Sequence, residues 1–183
     1  MKIIELAEDE VLTESMLSRK GALPASVIAS AAAIVEEVRE KKDAALRAFE
    51  SKFDHVDIAD FRVPQQVIDA SLDEVGEEFL ASCKKAEAQI RDFHQREVQQ
   101  SWFTTRPDGT ILGQKVTPLD SVGIYVPGGR AQYPSTVLMN AVPAKVAGVE
   151  RIVMVTPPQA DGKLSPYTLC AAKIAGVDEI YTV

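Results

Sequence analysis

Cysteines and long apolar runs are scarce in this 183-residue chain, and each scarcity excludes a class of protein. The two cysteines, Cys83 and Cys170, stand far apart, whereas a disulfide framework or a zinc ribbon needs clustered cysteines. Each lies in an apolar helical pattern, which predicts a buried free thiol. No apolar run reaches the roughly 18 residues of a membrane span. The N-terminus turns acidic at once, unlike a signal peptide, so we expect a soluble, cytoplasmic protein.

Basic clusters are also missing, which argues against a nucleic-acid partner. The net charge is −7, and no run of Lys or Arg is longer than two residues. Residues 1–105 hold 13 basic and 21 acidic residues, whereas residues 106–183 hold 7 and 6. The chain therefore joins an acidic half to a neutral half. With 46% hydrophobic residues, it is long enough for one domain, or two small ones, with a real core.

The acidic half carries helical patterns. A short helix is predicted between Leu6 and Leu17. A long one should begin after Pro24 and end near Phe53, because apolar residues recur there at steps of three and four. Another should begin near Ser71, which together with Glu74 has the spacing of a capping box.

The pattern changes after residue 100. A β-favouring run from Trp102, a Pro-Asp-Gly turn and a second run from Ile111 predict a β-hairpin. Short apolar runs then alternate with helical segments up to Val183, in the order β-α-β-α-β. Right-handed crossovers would make this a three-stranded parallel sheet, which is half of a doubly wound fold. The predicted class is α/β, with a helical region over 1–100, a hairpin linker over 101–118 and an incomplete sheet domain over 119–183.

The first predicted strand of that sheet ends in a glycine-rich loop. Tyr125 closes the strand, and Pro127, Gly128 and Gly129 follow before the next helix. Free backbone N–H groups beside a helix N-terminus favour an anion such as a pyrophosphate. The spacing is neither G-x-G-x-x-G nor a P-loop, so on spacing alone a tight turn that needs positive φ is favoured, and nucleotide contact stays open. Arg130 could meet an anion there, or could be an ordinary solvated arginine.

Few residues are equipped for catalysis. His55 lies between two aspartates, but their spacing implies no ligand geometry, and His94 ends a predicted helix. No Ser-His-Asp set and no H-E-x-x-H motif is present. From the residues themselves we therefore predict no catalytic residue and no metal ligand.

A resemblance to a known family rests on several segments in order. They are the run from Ser121 to Ala131, the block Tyr133 to Met139 with Pro143-Ala144, and upstream segments such as Asp43 to Leu46, Ile90 to His94 and Gly113 to Pro118. In these segments the chain resembles histidinol dehydrogenase over essentially its whole length. That family has incomplete Rossmann-like domains, in agreement with the half-wound sheet.

The resemblance implies a zinc- and NAD-dependent enzyme of histidine biosynthesis. It would oxidise L-histidinol through L-histidinal to L-histidine as a homodimer. Tyr125 falls on the NAD-contacting tyrosine of the family, and Pro127, Gly128 and Gly129 are weaker candidates by proximity. This chain is well under half the usual family length, and the zinc ligands, the acid/base pair and the histidinol-binding residues have no equivalent in it. We therefore expect the zinc ligands outside this chain, and the chain alone to be inactive.

Two other functions stay open. A related dehydrogenase could oxidise another small polar alcohol with the same architecture. Alternatively, the chain could act as a stand-alone, non-catalytic module for dimerisation or nucleotide binding.

Overall fold

A computed structural model describes residues 6, 7, 9, 11, 13, 23–129 and 131–183 of the chain. These residues belong to two compact units, residues 1–45 and residues 46–183. In the first unit, helix α1 spans Ala25–Lys41. The helix predicted between Leu6 and Leu17 lies largely outside the described residues. No helix in the described ranges is both long and apolar enough to cross a membrane.

The prediction of one continuous helix from Pro24 to Phe53 is wrong. Helix α1 ends where Lys42 adopts a left-handed φ of 52°, and helix α2 then spans Asp43–Phe49. A π-helical segment, Glu50–Asp54, follows and ends at His55, whose φ is 59°. The apolar spacing continues across the break, so periodicity does not reveal a change that is confined to one backbone angle.

The predicted helix start at Ser71 is also wrong. Helix α3 spans Gln65–Glu74 and contains Ser71, whose hydroxyl donates to the Ile68 carbonyl oxygen at 2.6 Å. Helix α4, Glu77–Gln95, begins only after Gly76. A Ser-x-x-Glu spacing inside a helix looks the same in sequence as a capping box, but here the serine bonds backwards to its own helix.

The neutral half folds as the alternation predicts. Strands β1 (Trp102–Thr105) and β2 (Ile111–Gln114) form the antiparallel hairpin. Then follow β3 (Ser121–Tyr125), helix α5 (Pro134–Val146), β4 (Arg151–Thr156), helix α6 (Pro166–Ala175) and β5 (Glu179–Thr182). Strands β3, β4 and β5 pair in that order, all parallel. The predicted α/β class, with a hairpin and an incomplete parallel sheet, is confirmed.

The sheet has two different faces. On one face Ile152, Met154 and Ile180 are fully buried against the helices, and we call this the helical face. Helix α5 packs on α4 and α6, and α3 packs on α6. On the opposite face, Val153 and Val155 are only half-buried, so we call it the open face. Such alternation along β4 follows from the twofold period of a strand.

Helices α3 and α4 belong to the predicted 1–100 region, yet they share one core with the sheet. The predicted domain boundaries, at residues 100 and 118, stay a prediction. The cysteine prediction is confirmed, since Cys83 and Cys170 are both buried and free. Burial raises the pKa of the Cys83 thiol to about 11, and also raises the pKa of Cys170, so both thiols stay protonated and unreactive at neutral pH.

The two edges of the sheet differ as well. Residues 61–63 run antiparallel along β5, where the Val63 amide donates to the Ile180 carbonyl at 2.9 Å and the Thr182 amide donates to the Phe61 carbonyl at 2.8 Å. Strand β3 pairs only with β4 in the described part of the chain. One edge is thus covered from within residues 46–183, whereas the β3 edge keeps unpaired backbone groups.

One carboxylate ties helix α5 to two strands. Asp178 precedes β5 and accepts hydrogen bonds from the Ile152 amide at 2.7 Å and from Lys145 Nζ at 2.9 Å. Burial works to raise the pKa of Asp178, but these hydrogen bonds outweigh it and lower the pKa below its ordinary value of 3.8. The folded state therefore favours the ionised carboxylate.

The substitution Asp178→Asn should lower the free energy of unfolding at pH 7 by about 1 kcal/mol. This value is smaller than the contribution of a fully buried hydrogen bond to a charged group, because the carboxylate is partly exposed to solvent. A depressed pKa in the folded state stabilises above the unfolded pKa and loses this effect as pH falls through the folded pKa. The deficit of the variant should therefore shrink as the pH falls below about 4. Urea denaturation of the wild type and the variant at a series of pH values measures this difference in the free energy of unfolding.

A matched control is Asp73→Asn, which changes an exposed aspartate on α3. This variant should stay within about 0.5 kcal/mol of the wild type at pH 7. An Asp178→Asn deficit that is equally large at pH 3 and pH 7 would contradict an ionic role for Asp178.

Candidate cofactor site

The candidate site begins at the carboxyl end of β3. Ile124 and Val126 face the core, so Tyr125 between them projects to the open face, where 63% of its surface is exposed. In register it lies beside Val155, which in turn lies beside Tyr181. The three residues form a row across the open face. An exposed aromatic ring on such a row can stack on a planar ligand.

Tyr181 is less free than Tyr125. Its hydroxyl donates to Glu179 Oε2 at 2.8 Å, and this hydrogen bond is the main reason that its pKa lies above the ordinary value. The same carboxyl group accepts from Arg151 Nε at 2.7 Å, which lowers the pKa of Glu179. Only Arg151 and Glu179 lie at the amino ends of their strands, and their contact with the Tyr181 hydroxyl draws that side chain away from the carboxyl ends, where parallel α/β sheets bind ligands. Tyr125 is therefore the better placed of the two rings.

The glycine-rich loop after β3 is built for close approach. Gly129 has a φ of 79°, in the left-handed region that favours glycine. A Cβ on Gly128 would lie 3.0 Å from both the Pro157 carbonyl oxygen and Thr156 Oγ1, which is tighter than ordinary packing. The loop can thus lie directly against the end of β4. Close packing therefore explains Gly128 and the backbone angle explains Gly129, and contact with a ligand stays a prediction.

A small cavity lies behind the loop. Its polar lining includes Gln132, Ser165 and Thr168, and both glycines contribute to its wall. Its volume is about 10 Å³, which is room for about one water molecule. Ser165 Oγ donates to Gln132 Oε1 at 2.5 Å and accepts from the Tyr167 amide at 3.2 Å, so it caps helix α6. No nucleotide fits in this cavity.

The predicted site residues therefore divide into two groups. Gly128 and Gly129 line the small cavity, whereas the Tyr125 ring lies on the open face and Pro127 joins the two positions. Arg130 lies outside the described residues. Sequence reasoning missed Gln132 and Ser165. A Ser-Pro start before α6 could have indicated the cap, but the Gln132–Ser165 pair joins positions 33 apart and leaves no local signal.

The histidines do not add a metal site. His55 is exposed at the end of the π-helical segment, and His94 Nδ1 lies 2.5 Å from Glu97 Oε2 on the following turn. Within the described ranges, no three His, Cys, Asp or Glu side chains come together to hold a metal ion. The described residues therefore do not fit zinc, and no step through zinc can be derived from them.

NAD is a different case, because the open face carries an exposed aromatic ring of the kind that contacts planar cofactor rings. The exposed Tyr125 ring can stack on one of its planar rings. This ring suits one wall of a dinucleotide site and does not enclose a ligand.

Comparison with known proteins identifies the family. The family model described as histidinol dehydrogenase matches residues 17–183. The chain belongs to the histidinol dehydrogenase family. It is 45% identical over 181 residues to histidinol dehydrogenase of Methanosarcina mazei, covering 98% of this chain and 41% of that protein. It is 51% identical over 148 residues to that of Bacillus licheniformis, covering 81% of this chain and 35% of that protein.

A solved structure agrees with the fold. The crystal structure of histidinol dehydrogenase from Elizabethkingia anophelis matches with a TM-score of 0.81 at 30% identity. The match covers 90% of this chain and 38% of that one. This chain of the histidinol dehydrogenase family thus spans about two fifths of the length of the relatives it matches.

Proposed function

We propose that this chain provides the N-terminal part of a zinc- and NAD-dependent histidinol dehydrogenase, which oxidises L-histidinol through L-histidinal to L-histidine. The observation that carries the proposal is the family match, which extends from residue 17 to residue 183 and therefore includes the whole sheet and its loop. Histidine biosynthesis and oxidoreductase chemistry follow from that membership. We further propose that the protein is a cytoplasmic homodimer.

The proposed part of the chain in the reaction is to bind and orient the cofactor. Tyr125 would stack its exposed ring against NAD on the open face, and Pro127, Gly128 and Gly129 would hold the turn that keeps the ring there. NAD, when bound, accepts the hydride that leaves the alcohol carbon. The zinc ligands, the proton-transfer residues and the histidinol-binding residues are proposed to lie outside this chain.

A chimera tests this proposal. Residues 1–183 would replace the matching segment of the Methanosarcina mazei relative, to which they are 45% identical. The chimera should form NADH from L-histidinol. In it, Tyr125→Ala should raise the KM for NAD about tenfold, because loss of one stacking contact is worth about 1–3 kcal/mol. Initial rates of NADH formation at varied NAD measure the effect.

Two control variants separate cofactor contact from folding. Tyr125→Phe keeps the ring and should keep the KM for NAD within about twofold of the parent chimera. Tyr167→Ala removes a tyrosine on α6 that packs edge-to-face on Phe79, with ring centres 4.8 Å apart. It should lower stability and leave the KM for NAD unchanged. A folded chimera without activity would refute the proposed function and favour a stand-alone binding module instead.

A further inference from the structure

The loop between β3 and α5 leads the chain from the sheet to the helices at the carboxyl end of the strands. At its start, the Val126 amide donates to the Val155 carbonyl at 2.9 Å. Two residues later, Gly128 lies directly against the end of β4, and α5 begins at Pro134. Parallel α/β sheets bind ligands at this end. The path of the loop therefore decides what surface a ligand meets beside Tyr125.

A side-chain contact ties the far end of this loop to α6. Ser165 Oγ donates to Gln132 Oε1 at 2.5 Å. Ser165 is only 5% exposed, and its Oγ also accepts from the Tyr167 amide at 3.2 Å. The helix cap thus fixes the position of the oxygen, and a hydroxyl has a single proton to donate. Because Gln132 receives that proton, the loop is held against the end of a helix.

The same contact joins the loops that follow two neighbouring strands. Gln132 lies in the connection from β3 to α5, and Ser165 lies at the end of the connection from β4 to α6. Both side chains line the small cavity together with Gly128 and Gly129. The glycine turn therefore has the end of β4 on one side and a hydrogen-bonded helix cap on the other.

We propose that Gln132 and Ser165 are positioning residues for the cofactor: their hydrogen bond holds the loop in the conformation that NAD meets beside Tyr125. They act through the loop and not by contact with NAD. A loop that is ordered before binding costs less free energy to order when the ligand arrives. A loop that is in the binding conformation for only part of the time weakens the apparent affinity by that fraction. The proposal rests on the NAD-dependent function proposed above.

The substitution Gln132→Met in the chimera tests this role, because it keeps the length of the side chain and removes the hydrogen bond. The KM for NAD should rise about threefold to tenfold, which is the effect of losing one such bond. The kcat should stay within about twofold, because NAD, once bound, holds the loop in place. Ser165 keeps the Tyr167 amide as a partner, so the variant should fold as the parent does.

Gln159→Met is the matched control, since it makes the same substitution in the wall of the same cavity. The backbone amide of Gln159, and not its side chain, holds its turn by donating to the Lys163 carbonyl at 2.8 Å. The KM for NAD should therefore equal that of the parent chimera. An equal rise in both variants would show that the cavity wall matters in general and would overturn the proposed role of the Gln132–Ser165 pair.

A double variant separates the contact from the helix cap. Ser165→Ala should raise the KM for NAD by a factor similar to that of Gln132→Met, and it should also lower stability because the cap of α6 is lost. With both substitutions, the KM should be no higher than in either single variant, because the same hydrogen bond is lost only once. Two effects on KM that multiply would contradict a role of the contact itself.

Limited trypsin digestion without NAD measures the loop directly, because the sequence places a cleavage site after Arg130. Cleavage there should be about threefold faster or more in the Gln132→Met chimera than in the parent, with both rates normalised to those of short peptides of the same sequences. Gln159→Met should match the parent. Unchanged cleavage, or faster cleavage with an unchanged KM for NAD, would overturn the positioning role.

The failure of this proposal is distinguishable from failure of the proposed function. A parent chimera without NADH formation would refute the dehydrogenase function, and the positioning role with it. An active parent chimera in which Gln132→Met leaves the KM for NAD unchanged would overturn the positioning role alone.

Discussion

The 183-residue chain by itself is expected to form no NADH from L-histidinol, even with added zinc. Oxidation of an alcohol needs a base within hydrogen-bond reach of the hydroxyl group, which is worth about 10²–10⁴-fold in rate. Of the two histidines, His55 is exposed and His94 pairs with Glu97 on the following turn. Neither lines the cavity at the glycine-rich loop. The rate should therefore equal that of a blank without protein.

The chimera described above is the positive control for this measurement, because it contains the same 183 residues. Weak NAD binding by the isolated chain is compatible with the prediction, since one wall of a site provides little contact area. Turnover clearly above the blank that is lost in Tyr125→Ala would show that a complete active site exists within these residues. That result would contradict the proposal that the zinc ligands and the proton-transfer residues lie outside this chain.

Sequence patterns predict the sheet half of the molecule well because its signals are local. Each strand is a short apolar run, and proline or glycine separates it from the next element, as at Pro166 before α6 and Gly176 after it. Gly176 ends α6 with a left-handed φ of 81°, as expected for a glycine that directly follows the last residue of a helix. Parallel pairing then follows from the βαβ connections.

The helical half shows where such patterns fail. The helix breaks at Lys42 because of the positive φ of that residue, and lysine is not a residue type that signals a helix end by such an angle. The spacing of the apolar residues continues across the break. At Ser71, a spacing that matches a capping box lies in mid-helix, and the true start follows Pro64. Both errors concern boundaries, which depend on tertiary packing more than on local preference.

Only the part of the candidate site that is continuous in sequence could be predicted, because contacts between distant segments leave no local pattern. Tyr125 and the two glycines stand together in sequence, so their position at one strand end could be predicted. Strand alternation places the Tyr125 ring on the open face. The ring is therefore separated from the small cavity that Gly128 and Gly129 line. The Gln132–Ser165 contact joins distant segments of the chain, and no local pattern indicates it.

The largest loss of stability is expected from Met154→Ala. Met154 lies in β4, the central strand, and is fully buried on the helical face. Truncation of a buried methionine removes transfer energy and leaves a cavity between sheet and helices, which costs about 2–5 kcal/mol. Urea denaturation followed by far-ultraviolet circular dichroism should show a lower midpoint with an unchanged slope.

Val153→Ala is the matched control, because it truncates the neighbouring side chain of the same strand on the open face. Val153 is half-buried, so its loss should cost about 1 kcal/mol or less. Comparison of the two variants therefore measures how differently the faces are buried in solution. If Val153→Ala were as costly as Met154→Ala, the open face would be buried in solution, and the exposed Tyr125 ring on which the cofactor proposal depends would not be free to receive NAD.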